Sequence, residues 1–78
     1  MNNTQIEAVI TDEVFRMFGI VLARDDVLYE ALDSLQFMEL QTSLDKRFFL
    51  SPTRSLTLDE MRTVALFASN ISVGRREG

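Results

Sequence analysis

An aspartate stands directly before a serine at Asp33-Ser34, where a helical apolar pattern begins with Leu35 and Phe37. A hydroxyl behind a carboxylate at a helix start admits two chemistries. Both residue types cap helix N-termini by accepting from an unpaired backbone N–H. A serine hydroxyl so placed can also be a point of covalent attachment. Asp33-Ser34-Leu35 taken alone favours the cap, because Asp and Ser are common at helix starts for that reason. The other adjacent carboxylates, Asp25-Asp26 and Asp59-Glu60, read as solvated or capping groups, since charged side chains are mostly exposed. No pair is spaced for acid–base work. The chain has no Cys and no His. Disulfides, redox thiols, the usual zinc sites and the usual near-neutral general base are therefore absent. The chain is not expected to be an enzyme.

The elements that position Asp33-Ser34 follow from periodicity. With 78 residues the chain is expected to form one domain over 1–78, its core spanning about 4–72 and the polar tail 73–78 frayed. Apolar residues make up 46%, enough for a packed core rather than disorder. The net charge of −4 argues against nucleic acid, which selects a basic face. No apolar run is long enough for a membrane span, and no signal sequence is evident. A cytoplasmic monomer is expected, and the start at Met1 favours a freestanding protein over a domain cut from a longer synthase.

Thr4 and Glu7 have capping-box spacing, and Ile6, Val9, Ile10, Val14, Met17 and Phe18 form one stripe. They predict a helix from about Gln5 to Phe18, stopped by Gly19. Phe15 lies off the stripe and must pack under a loop or face a partner. Residues 19–32 read as a connection with Ile20, Leu22, Val27 and Leu28 as anchors and one short helical turn at its end. A helix then starts at Asp33 or Ser34, with Gln36 completing a second capping box. Its core face holds Phe37, Leu40, Leu44 and Phe48. Leu35 and Met38 form a separate apolar patch beside Ser34, and Ser51-Pro52 is the expected stop. Thr57 and Glu60 give a third capping box. After it, one helix from Leu58 to Ile71 competes with a short turn through Met61 followed by a new helix capped by Thr63. The second is preferred because it buries Phe67 with Val64, Ala68 and Ile71. With no strand-like alternation, the fold class is all-α, a small three- to four-helix bundle.

A serine opening the second long helix of a small acidic bundle, after a long connection and beside an apolar patch, resembles the acyl carrier protein family, which includes peptidyl carriers. The pattern stands as Asp33-Ser34-Leu35-Gln36-Phe37-Met38-Glu39-Leu40, with Leu44 and Phe48 beyond it. Thr63-Val64 opens the last helix, and Leu28-Tyr29-Glu30-Ala31-Leu32 resembles the family's approach to the motif. The resemblance covers nearly the whole chain. It implies that Ser34 carries 4′-phosphopantetheine, added by a phosphopantetheinyl transferase from coenzyme A with magnesium. The thiol of that arm would hold acyl, polyketide or aminoacyl groups as thioesters for loading and processing enzymes such as synthases or ligases. Asp33 would orient the site or help hold magnesium in the transferase complex. Leu35, Met38 and Glu39 would contact partners, Glu39 by pairing with a basic surface.

Three features depart from the family's usual form. Leu32 runs into Asp33 without a glycine step. Gln36 and Lys46-Arg47 make the motif helix less acidic than in many fatty-acid carriers, which favours a dedicated carrier in polyketide or peptide assembly. Phe37 is bulkier than usual and is expected to narrow the interior. The rival reading is a helical interaction module without prosthetic group, docking through Leu35, Met38 and Phe15.

Overall fold

The computed structural model describes residues 2–48 and 56–77, with side chains through Ser72. The described residues form four α-helices, α1 (Asn3–Phe18), α2 (Leu28–Ala31), α3 (Ser34–Phe48) and α4 (Val64–Glu77), with a 3₁₀ turn at Asp59–Met61. The fold is a small all-α bundle, as the periodicity requires. Among the described residues, no helix is long and apolar enough to cross a membrane. The expected stop at Ser51-Pro52 lies outside the described residues.

The start of α1 corrects the sequence reading. The cap is Asn2, not Thr4. Asn2 Oδ1 accepts from the Gln5 N–H at 2.9 Å, and Gln5 Oε1 accepts from the Asn2 N–H at 2.9 Å. Asn2 and Gln5 have the same i, i+3 spacing as Thr4 and Glu7, and Asn caps at least as well as Thr. The earlier start leaves Glu7 to pair with Arg24, at 3.1 and 3.2 Å. At the other end, Gly19 takes φ 71° and donates its N–H to Phe15 O at 2.8 Å. That left-handed conformation is one that glycine adopts without a Cβ penalty. The stripe faces inward as expected, with Ile6, Ile10 and Val14 buried and Val9, Met17 and Phe18 packed against the core. Phe15 is 57% exposed, so it points outward rather than under a loop.

The connection to α3 is pinned at several points. Leu22, Leu28 and Leu32 are buried, while Ile20 and Val27 are half-buried. Asp26 Oδ2 accepts from the Ala23 N–H at 2.8 Å, closing a turn. Leu28 N–H donates to Arg62 O at 2.9 Å, and Ala65 N–H to Arg24 O at 3.0 Å. Val27 and Thr63 form an isolated antiparallel bridge.

That bridge explains why α4 begins where it does. Thr57 and Glu60 complete a capping box for the 3₁₀ turn, at 3.0 and 3.3 Å. Thr63, bridged to Val27, then ends the turn and starts a new helix, its Oγ1 accepting from the Leu66 N–H at 3.1 Å. Val64, Phe67, Ala68 and Ile71 are all fully buried, as the two-element reading requires. The backbone of α4 stays helical to Glu77, through the stretch read as a frayed tail. On the core side of α3, Phe37, Leu40, Leu44 and Phe48 are all buried. Phe37 lies nearly parallel to Phe67 of α4, with ring centroids 6.4 Å apart and 6° between planes.

Candidate functional site

The first turn of α3 separates the two roles that the sequence left open. Asp33 Oδ1 accepts from the Gln36 N–H at 2.7 Å, and Gln36 Oε1 accepts from the Asp33 N–H at 3.1 Å. The reciprocal cap is complete without Ser34. Ser34 occupies the first helical position, is exposed, and its hydroxyl has no hydrogen-bond partner among the described residues. The first backbone N–H groups of a helix have no intrahelical acceptor. With the Asp33 and Gln36 N–H groups taken by the cap, those of Ser34 and Leu35 remain for an incoming acceptor. An anion there would also meet the positive end of the helix dipole.

Apolar surface surrounds this hydroxyl. Leu35 and Met38 are 64% and 62% exposed, and Glu39 is exposed on the same helix. A cleft of about 390 Å³ borders Ser34. Its inner lining is the buried Leu32 and Phe37, and Tyr29, Met38 and Leu58 are its exposed apolar and aromatic members. Gln41 also lines it, donating from Nε2 to Met61 Sδ at 3.5 Å and so tying α3 to the 3₁₀ turn. The structure thus brings together Asp33, Ser34 and Met38 as the sequence reading groups them, and adds Tyr29, Gln41 and Leu58, which that reading did not single out. Leu58 lies far along the chain from Ser34, so no local spacing links them.

A second polar cluster lies about two and a half turns along α3. Glu13 of α1 falls within the buried stripe and is only 5% exposed. Ser43 donates its hydroxyl to Glu13 Oε2, Arg16 donates from Nε to Oε1 at 2.9 Å, and Arg16 Nη2 forms an ion pair with the same oxygen at 2.9 Å. Burial acts to raise the Glu13 pKa. The hydrogen bonds from Ser43 and Arg16, with the nearby charges of Arg16 and Arg47, outweigh it and hold the carboxyl below its ordinary value. The sequence did carry a signal for this residue, because Glu13 falls three positions after Ile10 on the apolar face. Arg24 is raised by its hydrogen bond and charge interaction with Glu7.

Among protein-family models, curated proteins and solved structures, nothing matches this chain, so the reading of the site rests on its own residues.

Proposed function

We propose that the chain is a carrier of the acyl carrier type, with Ser34 as the attachment point for 4′-phosphopantetheine. The observation that carries this reading is the division of labour at the start of α3. Asp33 and Gln36 supply the cap, which leaves Ser34 exposed and uncommitted. A serine present only to cap would make the hydrogen bond that Asp33 makes. The residues also suit the group. Ser34 Oγ, on losing its proton, would attack the pantetheine-bearing phosphorus of coenzyme A, forming a phosphodiester as the pyrophosphate bond breaks and adenosine 3′,5′-bisphosphate leaves. The ester phosphate would lie beside the Ser34 and Leu35 N–H groups at the positive end of the helix. When attached, the arm supplies a thiol that holds acyl, polyketide or aminoacyl groups as thioesters.

The chain's own part is to present and orient. Asp33 is fixed by its cap bond and stands next to the reacting hydroxyl, where it can orient the site or assist a transferase-bound magnesium ion. Leu35 and Met38 offer apolar contact to the transferase and to loading and processing enzymes, and Glu39 offers charge to a basic partner surface. With no Cys in the chain, no protein thiol competes for the cargo. Tethering raises the effective concentration of the cargo at each partner. The exposed Leu35, Met38 and Phe15 also suit an interaction module without prosthetic group, and one experiment separates the two readings.

The protein is incubated with coenzyme A, magnesium and a broad-specificity phosphopantetheinyl transferase, beside Ser34→Ala, and intact masses are recorded. Gain of one phosphopantetheine by the parent alone is the expected result. A folded parent that gains nothing with several transferases would move the interaction module to the front.

A further inference from the structure

We infer that the cleft beside Ser34 seats a short apolar group tethered at that residue, and that the Phe37–Phe67 ring stack sets its depth. For its natural cargo the inference rests on the carrier reading. Its geometry rests on the cleft alone. At about 390 Å³ the cleft lies near the low end of small-molecule sites, which span about 300–1,000 Å³. Its lining divides by exposure. Phe37, 5% exposed, and Leu32 are its inner surface, and Tyr29, Met38 and Leu58 are its rim. Among the described lining residues Asp33 is the one acidic or basic side chain, and it stands at the attachment end, so an apolar chain leaving Ser34 meets hydrocarbon and aromatic surface.

The inner surface resists deepening. Phe37 is backed by the parallel ring of Phe67, which is fully buried, and Leu40, Leu44, Val64 and Ile71 are fully buried in the same core. To pass between α3 and α4, a long chain would have to part that stack. Adding methylenes to a close-packed interior forces side chains off their rotamers and shifts backbone. The Gln41–Met61 contact holds the 3₁₀ turn to α3 beside the same cleft. Excess chain length is therefore displaced toward the rim, where Tyr29 and Leu58 already face solvent. The site would shelter a short, branched or single-ring acyl or aminoacyl group and leave the distal part of a long fatty chain outside.

Because the chain has no Cys, Ser34→Cys provides a single attachment thiol that needs no transferase. Its thiolate attacks the alkyl-bearing sulfur of an alkyl methanethiosulfonate, forming a mixed disulfide as methanesulfinate leaves. Hexyl and tetradecyl adducts are compared by two-dimensional NMR. Both are expected to shift Tyr29, Met38 and Leu58 resonances to similar extents while Val64, Phe67 and Ile71 stay unmoved. In the conservative Phe37→Leu background, or with Phe67→Leu trimming the stack from the other side, the tetradecyl adduct should move the Val64 and Ile71 methyls.

Interior shifts from the tetradecyl adduct with both rings intact would overturn the inference. So would adducts that leave the rim unmoved, or trimmed stacks that change nothing. Absence of phosphopantetheine uptake by the parent, alongside the expected adduct pattern, would sink the carrier reading and leave the cleft assignment standing.

Discussion

Two serines on one helix have opposite fates. Ser43 sits toward the C-terminal end of α3 and gives its hydroxyl to a buried carboxylate of α1. Ser34 opens the same helix and gives its hydroxyl to nothing among the described residues. The difference is not in the residue type. Around Ser43, which is half-buried, α1 approaches with the buried Glu13, whose two oxygens both need donors. Around Ser34, the N–H that a capping side chain would serve, that of Gln36, is already taken by Asp33 at 2.7 Å. A hydroxyl packed against a buried carboxylate is used up by folding. An exposed one beside a completed cap is left for chemistry.

The comparison is broken most sharply by modification. Ser34→Ala should abolish phosphopantetheine uptake while Ser43→Ala keeps it, as intact mass will show. Equal uptake by both variants would remove the distinction between the two serines. Stability should rank them the other way. Ser43→Ala leaves a buried carboxylate oxygen short of a charge-assisted hydrogen bond, a loss of about 1.5–3 kcal/mol in denaturant unfolding. Ser34→Ala should stay within about 0.5 kcal/mol, as surface changes usually do. In a domain this small, the first figure is a large part of the total.

Acid should act on the Ser43 end. The Glu13 pKa is lowered from 4.5 in the folded state. Its contribution is therefore fully present above pH 4.5 and lost as pH falls through the lower folded value. Unfolding midpoints measured from pH 6 to pH 3 should fall less steeply in Glu13→Gln than in the parent, and Ser34→Ala should follow the parent. Parallel curves for Glu13→Gln and the parent would remove Glu13 from the account.

The cap beside Ser34 gives a smaller effect. Asp33→Ala should cost about 1 kcal/mol, the usual value of an N-cap, and slow modification of a Ser34 that is still present. An unchanged modification rate would reduce Asp33 to a cap alone. Smallest on folding is the pair Leu35→Asn and Met38→Asn, expected to shift stability by less than about 0.5 kcal/mol while weakening partner-dependent loading. Undiminished loading would mark the patch as ordinary exposed surface.

Much of the fold is legible in particular residues. The stripe Ile6, Ile10, Val14 and the face Phe37, Leu40, Leu44, Phe48 are read correctly because helical spacing and burial coincide. Gly19 and the Asp33–Gln36 and Thr57–Glu60 boxes are read correctly because caps are local. The start of α1 is not, because Asn2–Gln5 and Thr4–Glu7 satisfy the same pattern and only one can form. At the candidate site, Asp33, Ser34 and Met38 follow from motif and periodicity. Leu58 and Tyr29 do not, because they reach the cleft from other segments.

By itself the sequence determines which faces are apolar, where local hydrogen bonds can cap a helix, and that Ser34 opens α3 behind an aspartate. These depend on neighbours three or four positions away, and such spacings are written in the chain. Tertiary structure decides which competing cap forms and where the last helix breaks, through the Val27–Thr63 bridge. It also decides that Glu13 is buried against Ser43 while Ser34 borders an apolar cleft. Those outcomes turn on segments distant in sequence meeting in space, where burial sets whether a polar group must find a partner or is left exposed to find one outside.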